Sequence, residues 1–228
     1  MTESSTLARE QRASDLVLAR LAPNVRAAVD GDWIIFLDLG RNRYRAVSLA
    51  KAPPIEGVPR TSGTGKPSLS LRRTLEREGL LVASPRADGS AVVSQTSAST
   101  RQASIKDLWL AACAALWARR IVRQGALLEA FTWLGGAKYN RALKVSFACA
   151  SGVYARFAAA RIWIPAAYVC LFDSLCLMRF LLAHGLGADL VFGVRARPFA
   201  AHCWVECEGV VLDDGGETCA SFAEIARV

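Results

Sequence analysis

The sequence predicts an α+β protein in two parts: a small strand-and-helix unit over 1–85 and a helix-then-antiparallel-strand unit over 105–228. Three observations carry this. Short strand-like runs separated by turn residues crowd into 25–48. A stretch dominated by Ser, Ala, Thr and Gln follows, giving a linker over 86–104. Beyond it, apolar segments of helical length come first and strand-like runs come last.

Taken in order, residues 1–20 are polar and read as a loose arm or short helix. Val25–Val29, Trp33–Leu39 and Arg43–Ser48 form a meander, joined by turns at Asp30-Gly31-Asp32 and Gly40-Arg41-Asn42. Asp-Gly between two strand-like runs is a strong hairpin signal. In the third run Tyr44, Ala46 and Ser48 alternate with Arg43, Arg45 and Val47. Residues 52–68, rich in Pro, Gly, Ser and Thr, read as a loop. Within them Ser62-Gly-Thr-Gly-Lys66 falls short of a phosphate-binding loop: Arg60 stands where a glycine is needed and Pro67 where Ser or Thr is needed. Leu69, Leu71, Leu75 and Leu80 predict a helix over 69–80.

The second part opens with two helical segments, 105–135 and about 139–160. A third runs from Cys170 to His184 and stops at Gly185-Leu-Gly187. Strands over 188–194 and 201–208 follow, with a turn at Glu208-Gly209 and a return strand at Val210–Leu212.

Composition limits the function classes. At 53% hydrophobic the chain can bury a core and is not wholly disordered. The net charge of +8 is spread from Arg9 to Arg227 without a block. Such a spread reads as a solvated surface, compatible with an acidic peptide partner or weak nucleic-acid attraction, and no specific nucleic acid is expected. The run 108–117 is too short to cross a membrane, and 162–183 carries Pro165, Asp173 and Arg179, so no transmembrane segment is expected. Seven cysteines and no secretory signal predict a cytoplasmic protein with reduced thiols.

Only two histidines, His184 and His202, are present, so any Cys–His pair must use one of them. His184 closes a helix, a favoured place for a cationic side chain. His202 lies in a strand and shares a face with Trp204 and Glu206. Cys170 stands at a helix start, where the partial positive charge favours thiolate, whereas Cys176 lies within the apolar helix and reads as core. If the hairpin is symmetric about residue 208, Asp214 lies opposite His202 and can hold its tautomer, while Asp213 faces the other way. Together Cys170, His202 and Asp214 have the logic of nucleophile, base and orienter. A metal site is disfavoured: Cys203 and Cys207 are about 13 Å apart on an extended strand, too far for one tetrahedral zinc, and no C-x2-C pair exists.

Cys170-Leu-Phe-Asp-Ser174, Val191-Phe-Gly-Val-Arg195, Pro198-Phe199, Ala201-His-Cys-Trp-Val-Glu206, Gly209 and Asp213-Asp214 resemble the B proteins of lasso-peptide biosynthesis. The likeness is to maturation proteases of the microcin J25 type, with a transglutaminase-like, papain-related fold. The resemblance implies Cys170 as nucleophile, His202 as base and Asp214 as acid; the family often has Asn where this chain has Asp213. Residues 25–48 and 69–80 resemble the small winged-helix-like, PqqD-like domain that recognises leader peptides in this family. By strand addition the leader would bind beside Arg43, Tyr44, Arg45, Ala46 and Val47. The implied partners are a leader–core precursor peptide and an asparagine-synthetase-like cyclase. ATP dependence is implied by the family alone; the sequence shows no ATP site and no bound cofactor. Two other readings fit the residues: a transglutaminase-like acyltransferase using the same triad, and a peptide- or DNA-binding winged-helix protein without catalysis. Product release without added amine separates the first, and salt-dependent binding of duplex DNA the second.

Overall fold

The computed structural model describes residues 19–52, 55, 69–83, 103–166, 169–213 and 216–228. The readings of residues 1–18, of most of the 52–68 loop and of linker residues 86–102 lie outside these. The chain splits into two compact units, Met1–Asp38 with Arg43–Gly89, and Leu39–Asn42 with Ser90–Val228.

In the first unit, β1 (Ala19–Leu21) pairs with β5 (Leu81–Ala83). The meander forms as expected: β2 (Val25–Asp30), β3 (Trp33–Asp38) and β4 (Arg43–Ser48) are antiparallel in the order β2-β3-β4. Asp30 pairs with Trp33 across a two-residue turn in which Gly31 takes φ 53°, a left-handed conformation that costs glycine no Cβ clash. Ile34 and Phe36 of β3 pack with Val25, Val47, Leu75 and Leu80 in the core of this unit. Among the described residues β4 is an edge strand, and its buried residue is Val47.

The helix expected over 69–80 is shorter. α1 covers Leu69–Arg77, and Gly79 (φ 74°) then reverses the chain. The Leu80 N–H reaches the Leu75 carbonyl and the Gly79 N–H the Glu76 carbonyl, a Schellman closure. Leu80 thus leaves the helix and enters the core on the way to β5.

Among the described residues the second unit has four long helices: α2 (Ile105–Gln124), α3 (Leu127–Tyr139), α4 (Phe147–Arg161) and α5 (Cys170–Ala183). The sequence reading of one segment over 105–135 is corrected. Gly125 at φ 62° ends α2, with Ala126 N–H on the Ile121 carbonyl, and α3 starts afresh. Ser104 and Asp107 form a reciprocal capping box that begins α2. α5 is the buried centre: Leu175, Cys176, Leu177, Met178, Phe180 and Leu181 are all inaccessible to solvent. Among the described residues no helix is long and apolar enough to cross a membrane.

An antiparallel sheet follows, built from β6 (Asp189–Arg195), β7 (Ala200–Cys207), β8 (Val210–Val211) and β9 (Ala223–Arg227) in the order β8-β7-β6-β9, with α6 (Gly216–Cys219) before β9. β9 was not legible in the sequence; it pairs with β6 through an irregularity at Phe192/Gly193. From Cys203 to Cys207, β7 is buried on both faces. On one, Trp204 Nε1 donates to Glu206 at 2.7 Å, and Arg227 Nη1 meets the other Glu206 oxygen at 2.7 Å, so this buried carboxylate is fully paired.

The hairpin register differs from the expectation. Glu206 pairs with Val211 and Cys207 with Val210, so the centre lies between residues 208 and 209, not on 208. The cause is local: Glu208 (φ 54°) and Gly209 (φ 74°) are both left-handed, a two-residue turn matched to strand twist. The Glu208 carboxylate accepts the Phe147 N–H at the start of α4, which offsets the strain of a non-glycine residue in this conformation.

Candidate active site

Cys170 is the first residue of α5. No side chain caps this helix at Val169; instead Asp173, in the first turn, accepts the Val169 N–H at 3.2 Å. Arg161 at the end of α4 is 5% exposed and fixes the approach to Cys170. Its Nε donates to Asp173 Oδ1 at 2.5 Å, and its other nitrogens donate to the carbonyls of Ile164 and Ala166. A buried guanidinium thus neutralises the carboxylate beside the thiol and ties down the segment that leads into it.

The structure brings Cys170 and His202 together. Both line a cavity of about 410 Å³ whose walls include Tyr154, Phe157, Asp173 and Ser174. His202 is held between two aromatic rings, Trp204 at 5.8 Å and Phe222 at 5.5 Å between centroids. Gly193 pairs with His202 across β6 and β7, and a Cβ there would meet Phe222 and the Trp204 ring at 2.7 Å. The irregular β6–β9 pairing and this glycine make room for the histidine clamp.

A hydrogen bond with the Cys203 thiol, joined by hydrogen bonds from His202 and the Cys203 N–H, pulls the Cys170 thiol down to about 5 against the effect of burial. Cys203 moves the opposite way, well above an ordinary thiol, because of its bond to Cys170 and its burial. Cys170, the more exposed of the two and next to His202, is therefore the thiolate. Burial pushes Cys176 up to about 12, as suits a core residue.

Asp213 also lines the cavity. Its Oδ1 accepts the Val205 N–H at 2.7 Å and its Oδ2 accepts the Ser174 hydroxyl at 2.8 Å, joining β7 to α5. Asp214 lies outside the described residues. Its placement opposite His202 rested on a register centred at 208, and that register does not hold. His184 bridges the Phe180 carbonyl and Asp107, at the far end of α5 from Cys170. Arg43, Tyr44, Arg45, Ala46 and Val47 lie on β4, one edge of the three-stranded sheet among the described residues, where Arg45 pairs with Glu78 at 2.6 Å.

The sequence reading missed Cys203, Ser174, Gly193 and Arg161 as site residues. Cys203 was weighed only as a metal ligand. Ser174 had a signal, since it stands one helical turn from Cys170.

A family of sequences described as the transglutaminase-like superfamily matches residues 108–227. Over 59 residues the chain is 39% identical to a curated protein, the microcin J25-processing protein McjB of Escherichia coli. That stretch is 26% of this chain and 28% of the relative. No solved structure matches.

Proposed function

Because the chain belongs to the transglutaminase-like superfamily, we propose that it is a cysteine peptidase that removes the leader from a ribosomally made lasso-precursor peptide. The observation that carries this reading is the Cys170 thiol, lowered to about 5 and hydrogen-bonded to His202 at the mouth of α5. The likeness to a microcin J25-processing protein supports the substrate class.

In this reading the Cys170 thiolate attacks the carbonyl carbon at the leader–core junction. His202 donates a proton to the departing amine, and the leader is left as a thioester. His202 then takes a proton from water, which releases the leader as a free acid. Backbone N–H groups in the first turn of α5 are the natural oxyanion donors. Asp214 is the proposed orienting acid, on the family resemblance; Asp213, which lines the same cavity as His202, is the alternative acid. Residues 1–85 act as the PqqD-like leader-recognition domain, 86–104 as the linker and 105–228 as the peptidase. The leader adds as a strand beside β4, at the edge of the described three-stranded sheet, and an asparagine-synthetase-like cyclase closes the core into its ring.

The test is cleavage of a leader–core peptide with cyclase and ATP present. Cys170→Ala and His202→Ala are each expected to abolish leader release, with free acid rather than an amine adduct as the wild-type product. An intact precursor with the wild-type chain overturns the reading. For β4, leader peptides N-methylated at alternate residues give the measurement. Strand addition uses every second N–H, so one methylation series should lose binding and the other keep it. Equal binding of both would rule out strand addition.

A further inference from the structure

We propose that Cys170 and Cys203 form a reversible redox pair, in which a hydroperoxide oxidises Cys170 and Cys203 closes the product to a disulfide. The inference rests on the reading of Cys170 as the reactive thiol.

The two cysteines are 33 positions apart in sequence, on the first turn of α5 and in the middle of β7, and the fold sets them side by side. They line the same cavity, and their thiols are hydrogen-bonded to each other. Their exposures differ in the useful direction. Cys170 is partly exposed, whereas Cys203 is 3% exposed, so a dissolved oxidant meets Cys170 first. A thiolate open to solvent with a second thiol in contact is the arrangement that turns oxidation into a reversible event. Among the other cysteines, Cys176, Cys207 and Cys219 are buried. Cys149 is also lowered, but its hydrogen-bond partners are Ser146 and Lys144.

The chemistry balances in two steps. The Cys170 thiolate attacks the terminal oxygen of the hydroperoxide; the O–O bond breaks, a sulfenic acid forms, and the alkoxide leaves and takes a proton from solvent. The Cys203 thiol then attacks the Cys170 sulfur and passes its proton to the departing hydroxide. The S–S bond forms, the S–O bond breaks, and hydroxide leaves as water. Overall two thiols lose two electrons and two protons, and the hydroperoxide is reduced to an alcohol and water. The disulfide removes the nucleophile from use and shields it from sulfinic acid, which thiols do not reverse; a dithiol reductant restores it.

The test uses the full-length protein, hydrogen peroxide, then iodoacetamide and peptide mapping by mass. The wild type should yield a peptide pair linked through Cys170 and Cys203, lighter than the separate peptides by two hydrogens, and dithiothreitol should restore alkylation of both. Cys203→Ala should instead carry Cys170 to sulfinic acid, with no recovery. Sulfinic acid at Cys170 in the wild type without the link, or a link from Cys170 to another cysteine, overturns the proposal. The wild-type map decides even if Cys203→Ala fails to fold. Because it reads thiols rather than cleavage, the map is independent of the peptidase reading. A 170–203 link in a chain that cleaves no precursor keeps the pair and sinks the peptidase; cleavage without the link does the reverse.

Discussion

Ser174 has one hydroxyl proton and two acceptors in reach, Asp213 Oδ2 at 2.8 Å and the Cys203 carbonyl at 3.2 Å. The carboxylate takes it. An asparagine at 213 would keep an oxygen for the Val205 N–H and donate to Ser174 Oγ, freeing the hydroxyl for Cys203. Asp213→Asn should therefore stay within roughly tenfold of wild type in single-turnover cleavage, whereas Asp214→Asn should fall by a factor on the order of 10², scaled down from serine triads. A dead Asp213→Asn with an active Asp214→Asn would move the acid to 213. Cys170 offers a measurement that needs no substrate. Its thiol is lowered to about 5, so thiolate dominates at neutral pH, and alkylation should be flat there and fall as pH drops through about 5. Alkylation of Cys170 that falls off near an ordinary thiol value instead would contradict the hydrogen bonds drawn to it. Cys170 and His202 were legible because their types are scarce or specially placed: two histidines, and one cysteine at a helix start. Cys203 was not, because strand alternation sets it on the opposite face from its neighbour His202, and only the packing of α5 on β7 brings both to one thiol.

Gly193 shows what an element asks of one position. The clamp of Trp204 and Phe222 on His202 exists because β6 carries no Cβ opposite the histidine. Gly193→Ala should push those rings aside, cutting turnover more than tenfold and, as the His202 hydrogen bond weakens, moving Cys170 alkylation toward higher pH; small overpacking changes cost about 1–3 kcal/mol. Unchanged turnover would show that the clamp does not position His202. The strands of the meander and α5 were readable because hydrophobic period and turn residues agreed. The break at Gly125 was not, since apolar residues continue on both sides and a left-handed glycine is a backbone fact that the pattern does not register. The short β9 escaped for a different reason: Ala223–Arg227 has little strand character alone and gains it by pairing with β6.

At the scale of the molecule, the helical half of the second unit is drawn together by Asp107. Its buried carboxylate takes the Ser104 N–H and hydroxyl at the start of α2, His184 Nε2 at the end of α5, and Arg156 of α4 at 3.8 Å. Burial opposes the charge, but these partners outweigh it and hold the carboxyl below its ordinary value. A folded value below the unfolded one contributes stability above the ordinary carboxyl range, and that contribution is lost as pH falls through the folded value. Asp107→Ala should destabilise this unit by about 3 kcal/mol at neutral pH, and the gap from wild type should narrow below about pH 4. Urea unfolding followed by tryptophan fluorescence at the two pH values reads both; a gap that does not narrow would show that the charge is not what matters. Elsewhere the second unit depends on a count rather than a charge. In the two-residue turn at Glu208-Gly209, a substitution alters one side chain, while an added or missing residue changes the parity of everything after it: Leu212 for Val211 in the sheet, and a different residue beside Ser174 and Val205. A library restricted to Gly, Asn and Asp at the two codons of this turn should therefore return many active members, and one that inserts or deletes a single codon almost none.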